Sequence, residues 1–578
     1  MEKFLNNAKV FLMKNQNALN LLLLGFLCYL FLFHNLGKFP LVDIDETRYV
    51  NMSRDMLALK DYVTPYLNFE YFLEKPPLYF WLNIISYKIF GSVGIFASRF
   101  ATAMLGAFSV FFTYIFVLKV MRSKAYALIS SCVLLSSSWF LVLSHNAILD
   151  MGFMALSMAT IYSAILALFV EEKNKKWMWY LGSFFMALSV LMKGLIGIVV
   201  PCAVVFFTYL YLKKAREMFK PLYLIPGLII FLIIALPWHI LVWKEHGMLW
   251  FNDYIVKHHF ARFVDSSLGL GRKQPFFFYV PVILGGLIPW TFNLIGQACS
   301  AIKSAVKDVK AVKSIKTLFS ADSQDRKMLA FALIYAVVTF VFFSASSSKL
   351  PTYALALFPA LALMIGYYWW GYICFDKYSK SAKISTLFTS VIFILLGIGA
   401  LVVMQVMPEA IKPYLVKMET FAQIVSAWFI IIPAITIASV AMKNKAVAFV
   451  SNVVFMIGIM MIACLHIFPF ITNFGQNELE AYAKQVAQIA TQEEVELMTF
   501  GFQRKYSLMN DYDKKIIYII TADNEGIEEF KKVTNETNNK KLYLILKNDT
   551  LKFFEPQGLF DDYKLLEQKE KYSLLIKN

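Results

Sequence analysis

Apolar stretches close to twenty residues long alternate with short polar connectors from residue 17 to residue 469. A window of about twenty residues, the length that crosses the hydrocarbon core of a bilayer, selects about thirteen candidate spans. They are 17–35, 93–120, 125–144, 150–170, 177–192, 194–212, 222–243, 276–298, 328–345, 351–370, 384–406, 424–442 and 446–469. The fifth and sixth are short and meet at a tight turn, Lys193-Gly194. After residue 470 the pattern changes. Residues 477–492 have helical periodicity, 496–500, 515–520 and 542–546 read as short strands, and 525–533 reads as a helix between the last two. The chain therefore reads as an all-α polytopic membrane protein over 1–470, its first outer loop at 36–92. A small, water-exposed α/β domain follows over 471–578.

The polar residues set the orientation. Lys3, Lys9 and Lys14 precede the first span, which places the N-terminus in the cytoplasm. No small-x-small cleavage site follows that span, so a retained signal-anchor helix is expected. The cytoplasmic connectors are then 121–124, 171–176, 213–221, 299–327, 371–383 and 443–445, and nearly every compact Lys/Arg cluster falls in them, as the positive-inside rule demands. The same alternation sends five distant segments to the outer face: the 45–75 loop, Asp150, Lys193, the 244–275 loop and 346–353. The C-terminal domain follows them there. A site assembled from loops on one rim of a rigid bundle is a common functional layout.

Composition agrees. Of 578 residues, 59% are hydrophobic and only 16% are charged, against about a quarter charged in soluble domains. The net charge of +17 lies in short clusters between apolar runs, which suits loops at an anionic membrane face and not nucleic-acid binding. The six cysteines lie in or beside apolar runs, with no CxxC pair and no disulfide framework. In 299–316 lysine recurs every three or four residues, the pattern of a basic amphipathic helix on the inner leaflet.

Candidate chemistry concentrates in the first outer loop. Asp45 and Glu46 stand beside Arg48, with Glu74-Lys75 further on. Two such acids beside an arginine can bind a metal, take a proton or stabilise positive charge that develops in a reaction. An ordinary solvated loop is the bland alternative. In 244–275, Asp253, His258, His259 and Arg262 stand together. A histidine with a carboxylate makes a divalent-metal pair, with water or substrate oxygens completing the shell. The C-terminal domain shows no phosphate loop, dinucleotide fingerprint or Ser-His-Asp spacing.

Asp45-Glu46-Thr47-Arg48-Tyr49, Ser53-Arg54-Asp55-Met56-Leu57, Asp61-Tyr62-Val63-Thr64-Pro65 and Glu74-Lys75-Pro76-Pro77-Leu78 resemble the first outer loop of the bacterial aminoarabinose transferases that modify lipid A. These are membrane glycosyltransferases of the GT-C type, close to the protein O-mannosyltransferases. Leu149-Asp150, Met192-Lys193-Gly194, His259-Phe260-Ala261-Arg262-Phe263, Pro275-Phe276-Phe277-Phe278-Tyr279-Val280-Pro281 and Lys349-Leu350-Pro351-Thr352-Tyr353 continue the resemblance in order over roughly 37–360. It implies an inner-membrane enzyme with an undecaprenyl-phosphate-linked sugar donor, an acceptor outside the cytoplasm such as lipid A, and a divalent metal, zinc or magnesium/manganese. It further implies Asp45 as the key aspartate with Asp150 as a second site acid; the loop's own pattern adds Glu46 as a candidate acid. Glu74 and His259 match the metal ligands. Arg48, Lys75, Lys193, Arg262, Lys349 and Tyr353 stand where donor phosphate and acceptor groups gather. The family often has Tyr-Phe before its Glu-Lys pair, where this chain has Phe72-Leu73, which bears on the sugar more than on the reaction.

If the acceptor is a phosphate it is already a nucleophile, and Asp45 need only position it or stabilise charge; a hydroxyl acceptor requires Asp45 as general base. A protein O-glycosyltransferase using the same class of lipid donor is the nearest alternative. A lipid or glycan transporter would place its ionisable residues near mid-membrane or repeat its topology in inverted form, and neither pattern is visible. A scaffold gives no reason for Asp45, Glu74, Asp150 and His259 to converge.

Overall fold

The computed structural model describes residues 15–261, 274–311, 323–406, 412–510, 512, 514–536 and 540–578. Among them, nine helices are long and apolar enough to cross a membrane, or eleven if each of two bent helix pairs is one span. The bent pairs, Lys124–Leu135 with Ser138–Ser144 (64°) and Phe276–Gly286 with Thr291–Lys303 (115°), occupy two of the expected spans. The short fifth and sixth expected spans are the helices Glu172–Lys193 and Ile196–Tyr211. Gly194, at φ 80°, turns the chain between them in a conformation that suits glycine.

Burial sorts the helices into inner and outer. Leu149–Leu166 is buried along its whole length and Pro351–Phe375 over 89% of its span window, while only 22% is buried in Pro221–His258. The inner helices meet through small residues: a Cβ added at Gly366 would stand 2.2 Å from Ser130 Oγ. Such close approach lets helices associate by packing where lipid supplies no hydrophobic drive. Around the central helix, Phe116 stacks on Tyr162 at 4.0 Å.

Two expected loops are helical. In the first outer segment, Asp45–Leu59 and Leu78–Phe90 are helices, joined through a small hairpin of Tyr66–Leu67 against Glu70–Tyr71. Asp45 and Glu46 lie in the first turn of Asp45–Leu59, where negative charge complements the helix dipole. The 244–275 loop begins as helix: Pro221–Trp250 bends at Gly247 (φ 52°, ψ −128°) and runs on as a π-helix over Phe251–Ala261. The lysine-rich segment continues the helix Thr291–Ala311, and the rest of it, 312–316, lies outside the described residues.

The C-terminal region builds one mixed sheet of five strands. From one edge the order is Ile516–Ile519, Val495–Phe500, Lys541–Lys547, Tyr572–Lys577 and Tyr563–Gln568, the first three parallel and the rest antiparallel. The three expected strands are present, and the last two were not anticipated. One face, with Met498 and Phe500, packs under Phe530 of the helix Asn524–Glu536. The other joins the main core through Leu497 and Ile545, beside Leu479 and Val486 of the helix Phe468–Ile489. That helix continues from the last apolar helix through a π-turn at Ala463–Ile467, so residue 470 falls within an unbroken helical run.

Candidate active site

Helix ends and one amphipathic helix supply the predicted residues. Asp150 occupies the first turn of the central helix, Lys193 is the last residue of its own helix, and Tyr353 lies within the 3₁₀ turn Pro351–Leu357. Lys193 Nζ lies 2.5 Å from Asp150 Oδ1, each side chain only 11% exposed. The same ammonium sits 4.2 Å from the Tyr353 ring centroid and 5.1 Å from that of Phe153. One cation is thus held by a carboxylate and two aromatic faces. Lys193→Met removes the only ion-pair partner recorded for Asp150 among the described residues. The expected cost is about 2 kcal/mol of stability, below that of a fully buried pair, read as a lowered melting temperature in detergent.

Asp45 faces outward at 59% exposure, and Arg48 Nη2 lies 2.9 Å from its Oδ1. Burial opposes the charge on Arg48, but Tyr49, Asp45, Tyr506 and Glu74 together hold its pKa above the usual arginine value. Tyr49 joins the two acidic segments. Burial drives its phenol well above the ordinary tyrosine pKa; Arg48 pulls the other way, and Asp45, Asp150 and Tyr353 add to the rise. The fields of Asp45 and Asp150 therefore act on one side chain.

Glu74 carries the next group. Lys75 Nζ is 4.0 Å from its carboxylate, and His258 Nε2 is 3.5 Å from Glu74 Oε1 and 3.6 Å from Asp253 Oδ1. The described imidazole beside Glu74 is thus that of His258. The side chain of His259 and all of Arg262 lie outside the described residues. Among the described residues no group of three or more His, Cys, Asp or Glu is arranged to hold a metal ion. The Glu74–His258 spacing still lets a nitrogen and an oxygen share one ion at bonds of roughly 2.0–2.2 Å. Water or phosphate oxygens would supply the rest of the shell.

Two expected site residues are held in structural hydrogen bonds. Glu46 is 2% exposed and forms a two-pronged pair with Arg99, Nε to Oε1 at 2.7 Å and Nη2 to Oε2 at 2.8 Å. It also accepts from the backbone N–H of Val42 (2.7 Å) and Ala147 (2.8 Å). With its oxygens so engaged, Glu46 serves here as a structural joint. Lys349, 6% exposed, donates to the carbonyls of Gln274 (3.0 Å) and Ser346 (2.6 Å), and burial lowers its pKa. It ties two segments of the rim together.

The joint at Glu46 positions the acids. Arg99, fully buried, also donates to the carbonyls of Leu36, Phe39 and Pro40, and lies 3.8 Å from the Phe39 ring centroid. Glu46 adjoins Asp45, and Ala147 stands three residues before Asp150. One buried ion pair therefore ties the chain carrying Asp45 to the chain carrying Asp150. Arg99 was missed in the sequence, where its signal was one charge near the start of the expected span 93–120.

The fold and this cluster define a class, a polytopic helical bundle with carboxylates and cations gathered at one end. The chain has the fold of ArnT from Cupriavidus metallidurans. The structure of that protein bound to undecaprenyl phosphate matches with a TM-score of 0.73 at 21% identity, over 96% of this chain and 97% of that one. Its apo structure matches with a TM-score of 0.72 at 19% identity, over 98% of each chain. Residues 17–251 match the family model described as dolichyl-phosphate-mannose-protein mannosyltransferase. In Proteus mirabilis, undecaprenyl phosphate-alpha-4-amino-4-deoxy-L-arabinose arabinosyl transferase 1 is 33% identical over 325 residues, 56% of this chain and 54% of the relative. Transferase 2 of that organism is 30% identical over 343 residues, 58% of this chain and 57% of the relative. The chain thus spans little more than half the length of these curated relatives.

Proposed function

We propose that this protein is an integral-membrane glycosyltransferase that moves a sugar from an undecaprenyl-phosphate-linked donor to lipid A or a similar acceptor. The observation that carries the reading is the buried Asp150–Lys193–Tyr353 cluster together with the exposed Asp45–Arg48 pair; Asp45 and Asp150 both raise the pKa of Tyr49. The similarity to undecaprenyl phosphate-aminoarabinose transferases and the undecaprenyl phosphate bound to ArnT support the donor class. In this reading the site faces the periplasm, the N-terminus is cytoplasmic and the membrane is the bacterial inner membrane.

Transfer breaks the bond between the anomeric carbon and the phosphate oxygen and forms one to an acceptor oxygen. Positive character builds on the sugar, and the bonding pair leaves with the lipid phosphate. Arg48 and Lys75 meet that negative charge, Arg48 as a fork able to hold two phosphate oxygens. Asp45 faces the sugar or acceptor: it orients a phosphate acceptor, or takes the proton of a hydroxyl. Lys193, already paired with Asp150, holds that carboxylate in place. A divalent ion at Glu74 with His258 or its neighbour His259 would add charge stabilisation at the donor phosphate. Exhaustive chelation is expected to lower turnover at least about tenfold, with recovery on adding back zinc, magnesium or manganese. Full activity after chelation would remove the metal from the reading.

The mannosyltransferase family model over residues 17–251 favours a second reading, a protein O-glycosyltransferase with the same class of donor. Mass spectrometry of lipid A and of surface glycoproteins from a deletion strain and its parent separates the two. A mass lost from lipid A supports the first, and a mass lost from proteins supports the second. No change in either pool rejects both.

A further inference from the structure

The C-terminal domain is seated on the strip that carries Asp45 and Arg48. Asp43 accepts from the Ser507 N–H (2.9 Å), the Ser507 hydroxyl (2.6 Å) and the Thr47 hydroxyl (2.6 Å). Asn51 donates to the Tyr506 carbonyl at 3.0 Å, and Arg54 donates to the carbonyl of Met509. Gln476 closes the same seam, accepting from the Asp43 N–H at 3.1 Å and donating to the Leu41 carbonyl at 2.8 Å. At the sheet edge, Asn68 pairs with both backbone groups of Ile516, at 2.7 and 2.8 Å. It thereby satisfies a strand edge that would otherwise invite pairing with another chain.

These bonds fix the 3₁₀ turn Tyr506–Asn510, and the turn delivers one ring to the site. Tyr506, 8% exposed, stands with its centroid 5.8 Å from the Arg48 guanidinium carbon. Arg48 Nη2 already meets Asp45, so the guanidinium is held between a carboxylate and an aromatic face. A half-buried arginine otherwise samples several rotamers, and each excluded rotamer lowers the entropy lost when a phosphate is bound.

We propose that Tyr506 is a positioning residue of the site: held by the Asp43–Ser507 clamp, its ring sets the Arg48 guanidinium for the donor phosphate, so the C-terminal domain completes the site it covers. The proposal rests on the glycosyltransferase reading above.

The test uses the full-length protein in detergent with undecaprenyl phosphate alone as probe, the lipid product common to any such donor. Tyr506→Leu is expected to weaken binding about two- to fivefold, the range of a partly exposed cation–π contact. Tyr506→Phe, which keeps the ring, is expected to restore it. In an Arg48→Ala background Tyr506→Leu is expected to change nothing further, because its effect passes through Arg48. Unaltered binding by Tyr506→Leu, or an equal loss in the Arg48→Ala background, overturns the proposal while leaving the glycosyltransferase reading intact. Failure of the wild-type chain to bind the probe overturns that reading, and the proposal with it.

Discussion

Asp45→Asn is expected to stop sugar transfer, a fall on the order of 10³-fold in turnover, with insertion and melting temperature unchanged. The two halves of that expectation have separate causes. Asparagine keeps the size and hydrogen-bonding shape of aspartate, and Asp45 is 59% exposed with a surface partner in Arg48. Exposed ion pairs contribute little to stability, so the fold has little to lose. The site loses an exposed negative charge whose partner, Arg48, is itself partly exposed. Asp150 cannot replace it, because Lys193 already neutralises that carboxylate at 2.5 Å. The pH profile of the wild type then separates the two roles open to Asp45. A general base gives a rate that falls as the carboxylate is protonated; an acceptor phosphate needs no proton removed and retains substantial rate there. Unchanged glycosylation in cells carrying Asp45→Asn would exclude the residue from the reaction.

The bundle was legible because its signal is repeated: each expected span recurs as a helix or bent pair, and the Lys193-Gly194 turn stands where the sequence placed it. Alternation gave Asp150, Lys193 and the segment of Tyr353 one shared face, but not the contacts that join them there. What failed was finer than parity. Asp45 and Glu46 are adjacent, and on a helix adjacent side chains point about 100° apart. One faces out and the other into the bundle, and nothing in the pair of letters says which. The Asp45–Leu59 helix itself passed for loop because its buried face is built of Thr47, Asn51, Ser53 and Asp55 as well as apolar residues. Arg99 vanished into a 27-residue apolar helix whose mean hydropathy one charge scarcely alters. Asp43, Ser507 and Asn68 act across more than 400 residues of sequence, largely through backbone groups, which no local pattern records. The imidazole of His258 stands beside Glu74, while the side chain of His259 lies outside the described residues.

Glu46→Gln and Arg99→Met are each expected to destabilise the protein by about 3–5 kcal/mol, because each strands a buried charge. Glu46 is 2% exposed and Arg99 fully buried, so neither can turn to water when its partner is gone. Replacing both, as Glu46→Leu with Arg99→Met, is expected to recover part of the loss, since exchanging a whole buried pair for apolar side chains is often close to neutral. Recovery stays incomplete for a reason specific to this joint. The N–H groups of Val42 and Ala147 lose their carboxylate acceptor, and the carbonyls of Leu36, Phe39 and Pro40 lose their guanidinium donor. Those same bonds hold Asp45 and Asp150 in register, so the double variant is expected to fold and still transfer sugar poorly. Melting temperatures in detergent test the stability ladder, and turnover of the double variant tests the link to the site. A single Arg99→Met variant that melts with the wild type would show that the pair does not hold the rim together. A fully active double variant would show that the two acids keep their places without it.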